Sequence, residues 1–199
     1  MDEVLSPRDT ALRKQLLEWL VSDPVHRDAL LAVADLGLSD GLIAAGFVRN
    51  LAWDLMHGYR QPTPLHDIDV IHFDREACSR ERDDWLQQRL CHRIALPWSV
   101  KNQARMHARN QHAPYRSSAD AMAHWPEVET AVGVRLRDPA VGAIATNIEL
   151  IAPFGVTPLF ADTISLNRRA PNPAVFRERS QSKEWCRLWP RLRLVDQKG

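Results

Sequence analysis

Asp67-Ile68-Asp69-Val70-Ile71-His72-Phe73 is the stretch that decides the fold. Its alternation and its β-branched residues read as a strand. Successive side chains on a strand leave opposite faces, so Asp67 and Asp69 share one face while Ile68 and Val70 share a face that can be buried. Two carboxylates held side by side resist joint ionisation unless a cation lies between them. A divalent metal removes that conflict, and Mg²⁺ favours one or two carboxylates together with phosphate oxygens. Solvated surface aspartates, or a loop bonding its own backbone, would also produce such a tripeptide. What favours a site is the context: the pair opens an apolar strand, where surface carboxylates gain little.

Upstream, Leu42-Ile43-Ala44-Ala45 suits a short buried strand, Gly46 ends it, and Val48 to His57 suits a helix closed by Gly58. A strand–glycine–helix unit offers a helix N-terminus to phosphate. Gly46 permits close backbone approach, and Arg49 adds a bidentate phosphate partner. An ordinary strand-ending turn and a solvated helix charge are the plainer readings of the same two residues. A polar, proline-bearing loop, Gln61-Pro62-Thr63-Pro64, leads into the aspartates.

Farther out, Ser6-Pro7 and Asp23-Pro24 each read as a capped helix start, and the second helix runs through Leu30 and Val33 to Gly37. Downstream, Asp74 is placed to cap a charged helix from Arg75 to about Leu90. Ile94 to Val100, Ala131 to Leu136 and Ala143 to Ala152 are the remaining strand candidates. No repeat, low-complexity segment or composition break marks a linker. The expectation is one α+β domain over residues 1–199: a mixed β-sheet with helices packed on it, a helical pair over 1–38 and a helical C-terminal end.

The bulk numbers agree with that size. In 199 residues, 45% hydrophobic and 26% charged is a globular balance rather than a disordered one. A net charge of +1 predicts no general attraction to nucleic acid or membrane, so electrostatic arguments must be local. Three widely spaced cysteines form neither a disulfide framework nor a metal pair, which suits free thiols in a reducing cytoplasm. No apolar run approaches the ~18–20 residues needed to span a bilayer. The eight histidines lack zinc-site spacing, although His66 and His72 lie beside the aspartates. GxSxG, Walker A and GxGxxG glycine sets are missing, which removes common hydrolase, ATPase and Rossmann readings.

A strand, a glycine at a helix start and then an Asp-x-Asp strand resembles the nucleotidyltransferase superfamily that includes DNA polymerase β. The chain looks closer still to a bacterial family of nucleotidyltransferase-like proteins. The matching segments are Ala45-Gly46-Phe47-Val48-Arg49-Asn50, Leu65-His66-Asp67-Ile68-Asp69-Val70, the run from Trp98 to His107, Trp125-Pro126-Glu127, the run from Ala131 to Arg135, Ala152-Pro153-Phe154-Gly155, Pro171-Asn172-Pro173 and the ending from Lys183 to Pro190.

The resemblance implies a nucleoside triphosphate on Mg²⁺ (or Mn²⁺), attack on its α-phosphorus by a hydroxyl, and release of pyrophosphate. Carried over by position, Asp67 and Asp69 would be catalytic metal ligands. Gly46, Phe47, Arg49 and Asn50 would bind nucleotide, Phe47 standing where a Ser or Gly usually supplies a phosphate hydrogen bond. The superfamily often adds an acid from a later strand, but Trp98 to Asn102 offers only Ser99 and Lys101. Glu149, inside an apolar strand, is the best substitute as a catalytic acid, or else an edge-strand glutamate in water; Glu127 is a weaker candidate.

Lys101 to Arg116 holds four Lys/Arg and no Asp/Glu, so Lys101, Asn102 and Arg105 are candidate nucleotide contacts or simply a solvated helix face. Arg168 to Arg193 holds eight Lys/Arg and two Asp/Glu with Trp185 and Trp189 interleaved. That composition suits an RNA-contacting surface, or tryptophans packed inward under a coat of arginines. Three readings follow. The first is an enzyme moving a nucleoside monophosphate from an NTP to a small-molecule, protein or RNA acceptor; the second a catalytically inactive nucleotide sensor; the third an RNA-contacting protein.

Overall fold

The computed structural model describes residues 6–138 and 144–196. Two capped helices come first, α1 (Pro7–Ser22) and α2 (Pro24–Ala34). Ser6 accepts from the Asp9 amide and Asp23 from the His26 amide, each satisfying one of the open donors of a helix start. The chain then runs β1 (Leu42–Ala44), α3 (Gly46–Met56), β2 (Ile68–His72), α4 (Arg80–Arg93) and β3 (Trp98–Asn102). Short helices α5 (Met106–Asn110) and α6 (Ser118–Met122) lead to β4 (Gly133–Leu136), α7 (Ile144–Asn147) and β5 (Ile148–Ile151). Last come β6 (Thr163–Ser165), α8 (Pro173–Ser182), α9 (Trp185–Leu188) and β7 (Arg193–Val195).

Five strands form one mixed sheet in the order β3-β2-β1-β4-β5. Only β2 and β3 are parallel; the other pairs are antiparallel. The register aligns Val100, Val70, Ile43, Val134 and Leu150 into an apolar row that crosses every strand. This row faces the main core, to which α1 and α2 contribute Leu16, Leu20, Leu30 and Val33. The opposite face carries the row Ser99, Asp69, Ala44, Gly133 and Ile151. Leu42, Ala44 and Ile71 on that face pack with Met122 and Ala131 into a smaller second cluster. The one acid of β2, Asp69, therefore lies on the thinly covered side.

Several boundaries differ from the sequence expectation. Asp74 caps no helix: its Oδ1 accepts from the Glu76 and Ala77 amides in a local turn, and α4 begins six residues on, capped by Ser79. β3 starts later than Ile94 because α4 continues to Arg93, and pairing with β2 opens only at Trp98. Ile144–Asn147 is a helical turn, so the strand expected from Ala143 begins at Ile148; Ala143 itself lies outside the described residues. The helical C-terminal end is followed by β7, which pairs in parallel with β6. Among the described residues no helix is long and apolar enough to cross a membrane.

Asp9 ties the N-terminal helix to the far side of the domain. It is 6% exposed, and its Oδ1 accepts from the Val156 amide at 2.8 Å and from the Thr157 amide and hydroxyl at 3.1 Å. Arg13 holds the other oxygen at 2.8 Å and also donates to the Leu150 carbonyl. Gly155 makes room for this contact: with φ at +71°, any Cβ there would meet Asp9 Oδ1 at 2.9 Å. Burial opposes ionisation of Asp9, but Arg13 and the two amides outweigh it and hold the carboxyl below its ordinary pKa.

Asp9→Ala strands the Val156 and Thr157 amides and should cost about 2 kcal/mol in urea unfolding at neutral pH. The folded pKa is the lower one, so the stabilisation is complete above roughly pH 4 and is lost as pH falls through the folded value. The gap between wild type and variant should therefore close in acid; a gap unchanged at low pH would show that Asp9 acts through packing alone.

Candidate functional site

The pleat of β2 sends Ile68 and Val70 into the core and leaves Asp69 on the other face with 28% of its side chain exposed. Asp67 precedes the strand and is exposed. Both line a cleft of about 190 Å³ together with Gly46, Arg49, Asn50 and Lys101. The structure thus gathers six of the sequence candidates around one space.

The turn into α3 forms one wall. Ala45 adopts φ 56°, ψ −123°, a conformation rare for a residue with a Cβ, while its amide bonds the Val132 carbonyl at 2.9 Å. No side chain caps α3, and no hydrogen bond satisfies the amides of Gly46 and Phe47 among the described residues. A Cβ at Gly46 would meet only ordinary contacts, the nearest being Arg49 at 3.6 Å, so packing does not demand glycine there. What glycine leaves is a bare approach to two free amides on an 11-residue helix whose dipole favours an anion. The Phe47 ring is a correction to the sequence expectation. It is fully buried against His26, ring centroids 4.3 Å apart, and does not line the cleft.

Arg49 is 6% exposed and lies between two indole rings, its guanidinium carbon 4.9 Å from the Trp53 centroid and 4.7 Å from that of Trp185. It donates to the Thr130 hydroxyl at 2.7 Å and to Asn50 Oδ1 at 3.0 Å, and among the described residues no carboxylate stands within ion-pair distance. Burial pulls its pKa down to about 10, against the opposing pull of Glu127, Asp69 and Asp67. The result is a flat, desolvated cation with donor capacity left at the cleft wall.

Lys101, on the strand parallel to β2, places Nζ 3.6 Å from Asp69 and donates to the Ser99 hydroxyl at 2.7 Å. Arg179 of α8 and Lys183 line the same cleft. Arg179 is anchored by two hydrogen bonds to the fully buried Glu127, at 2.7 and 3.3 Å. Burial raises the pKa of Asp69; the Asp67 charge adds to this, and Lys101, Lys183 and Arg49 offset only part. One carboxylate held against its preference for water, beside a second, is what a divalent cation would relieve.

Other candidates fall away from the site. Glu149 sits on β5, three strand spacings (about 14 Å) from β2. Arg135, its register partner on β4, takes its carboxylate at 2.7 Å and also pairs with Asp40 at 3.0 Å. Its burial problem is thus solved locally, and it does not join Asp67 and Asp69. Asn102 is fully buried and bonds Asp74, Ala77 and Ala104 as a turn support rather than a nucleotide contact. Arg105 pairs with the buried Asp83, which also holds His72 Nε2 and the Asn102 amide. Among the described residues no third His, Cys, Asp or Glu completes a metal-ligand cluster with the pair.

In the basic C-terminal stretch the tryptophans pack inward and five of the eight cations are in ion pairs. Trp185 and Trp189 are buried, each edge-on to Trp53, and Arg169, Arg177, Arg179, Arg187 and Arg191 all have carboxylate partners. Arg179 and Lys183 were hidden in that stretch: composition marked it as basic, but only the docking of α8 aims these two at the aspartates. His66 does line the cleft.

Comparison with known proteins bears on the fold and the family. Among solved structures, an NMR structure described as revealing a CCA-adding enzyme head domain superposes with a TM-score of 0.78 at 31% identity, over 92% of this chain and 95% of that one. Two chains of a tRNA-processing enzyme in apo forms align at 16% and 13% identity with TM-scores of 0.46 and 0.45, covering 44% and 46% of those chains. No curated protein matches. A nucleotidyltransferase family model matches residues 31–194, and with its fold and the Asp67–Asp69 cleft the chain belongs to that nucleotidyltransferase family.

Proposed function

We propose that this chain transfers a nucleoside monophosphate from an NTP to a hydroxyl acceptor, with Mg²⁺ or Mn²⁺ held by Asp67 and Asp69. The observation that carries the reading is the half-buried Asp69 with its raised pKa, paired with Asp67 and faced by uncapped helix amides and an ion-pair-free buried arginine. The residues present fit the metal: two carboxylates on one rim leave its other positions to phosphate oxygens and water. Bound there, it would neutralise charge on the phosphates as the reaction proceeds.

The chain's own residues divide the remaining work. The Gly46 and Phe47 amides and Arg49 bind the outer phosphates at a preformed anion site. Arg179 and Lys183 add charge from the opposite wall, Arg179 kept in position by Glu127. Lys101 stands on the strand where the superfamily resemblance leads one to expect an acid, so a fixed ammonium beside Asp69 takes the place of a third carboxylate. The acceptor oxygen bonds to the α-phosphorus as the bond to the pyrophosphate oxygen breaks, and the hydroxyl proton passes to solvent. Positioning and electrostatics supply the catalysis.

A second reading has one observation behind it. With Glu149 across the sheet and Glu127 locked to Arg179, no third acid among the described residues reaches the pair, which suits a sensor that binds NTP without transferring it. Transfer of α-labelled phosphate from NTP by pure protein discriminates the two, since a sensor yields none.

Thermal denaturation tests the site directly. An NTP at a hundred times its Kd should stabilise wild type by about 2.7 kcal/mol, and only with Mg²⁺ or Mn²⁺ present. Asp67→Asn/Asp69→Asn should keep the fold and lose that response; a response retained in the double variant would sink the assignment. Without ligand, Asp69→Asn should be at least as stable as wild type at neutral pH. The raised folded pKa means that ionisation of Asp69 works against the fold, so wild-type stability should rise as pH falls through that value. Lys183→Ala, at an exposed position, should lose about tenfold in NTP affinity, equal to about 1.4 kcal/mol, with unchanged stability.

A further inference from the structure

Glu149, which does not reach the aspartates, lines a separate cleft of about 420 Å³. This space shares no lining residue with the cleft beside Asp69. It opens between α2 and the end of the sheet where β1 begins and β4 finishes. β1 runs from here to the Gly46 turn, so the two clefts stand at opposite ends of one strand. Leu30 and Val33 of α2, with Val134 and Leu136 of β4, give the space an apolar floor continuous with the main core.

Asp40, Glu149 and Arg135 add a charged wall. Arg135 donates to Glu149 at 2.7 Å and to Asp40 at 3.0 Å. The other carboxylate oxygen of Asp40 accepts from the Ser118 amide at 2.6 Å, and its carbonyl accepts from the Ser118 hydroxyl at 2.7 Å. These bonds hold Asp40 at φ 49°, a conformation uncommon for a residue with a Cβ. Backbone kept outside its usual regions is concentrated at active sites and ligand clamps. Burial works against the Arg135 charge, but Glu149 and Asp40 outweigh it and raise its pKa. Both acids are therefore engaged within the protein. Arg137, one residue past the end of β4, is not. It lines the cleft and is exposed, and its side chain has no ion pair or hydrogen bond among the described residues.

We propose that this cleft is a second binding site, for a small organic acid whose hydrocarbon body lies on Leu30, Val33, Val134 and Leu136 and whose carboxylate meets Arg137. A space of this size takes one small organic molecule. Its apolar part gains by leaving water, and a guanidinium, which can only donate, gives a carboxylate a charge-assisted pair of hydrogen bonds. A purely polar anion would leave the floor unused, and a neutral hydrocarbon would leave the cation unused. A polyanion would find a single unengaged cation here. The site stands apart from the transferase reading, so either can fail alone.

Isothermal titration calorimetry with octanoate tests the site, with octanamide as the neutral counterpart and the Mg²⁺–NTP thermal shift as the control on the other cleft. Wild type should bind one octanoate per chain, and octanamide about tenfold more weakly. Arg137→Glu should weaken octanoate about tenfold while octanamide binding and the NTP shift stay unchanged. Ala34→Trp, at a half-buried position lining the cleft, should fill the space and abolish binding of both. Arg137 is exposed, so its variant decides the matter even where Ala34→Trp fails to fold. No octanoate binding to folded wild type, equal affinity for octanamide, indifference to Arg137→Glu, or binding that survives in a folded Ala34→Trp protein would each overturn the site. Loss of the NTP shift in wild type bears on the transferase reading alone.

Discussion

The alternation of one five-residue strand governs the molecule. β2 must present a dry face to the core and a charged face to the cleft, and the pleat lets it do both without compromise. A shift of one residue in its pairing would bury Asp69 in the Val70 row and expose the apolar residues that hold the sheet together. β2 is paired on both sides, antiparallel to β1 and parallel to β3, and this double pairing fixes the register. It also determines that Lys101, rather than Val100 or Asn102, stands on the aspartate side. The charge pattern of the site thus follows from hydrophobic pairing on the opposite face.

Around that strand the electrostatics are assembled from distant parts. Asp54 on α3 binds the Thr63 amide and hydroxyl and the Trp189 indole, clamping the loop before the aspartates and the C-terminal segment to one helix. The same segment brings Trp185 over Arg49. Arg49 is desolvated but still charged, because two ring faces and neutral oxygens surround it rather than a carboxylate. A cation so placed has its charge directed to the cleft, whereas Arg105 and Arg135 spend theirs on Asp83, Asp40 and Glu149.

Much of this was legible from local signals. The Ser6-Pro7 and Asp23-Pro24 starts, the strand at Ile68 and the glycine turn before α3 all rest on near-neighbour chemistry that a sequence displays. Asp67, Asp69, Gly46, Arg49, Asn50 and Lys101 do meet at one cleft for that reason. Glu149 misled because a glutamate in an apolar strand signals a need for a partner but not which one; Arg135 across the β4–β5 pairing meets it. Asn102 and Arg105 look like Lys101 in sequence, yet the pleat and the turn after β3 send them to Asp74 and Asp83. Arg179 and Lys183 could not be picked out, since their placement depends on how α8 docks, more than a hundred residues after the strand they serve.

That docking has a consequence for the chain during its own synthesis. The aspartates and the glycine turn emerge early, but the ring that closes over Arg49 and the cations of the far wall belong to α8 and α9. Until that segment is made, the nascent chain carries two neighbouring carboxylates without the cations and the ring of the far wall. All five strands of the main sheet precede that segment, but the cleft beside the aspartates is not yet closed. The cleft gains its far wall only when Trp185 settles beside Trp53.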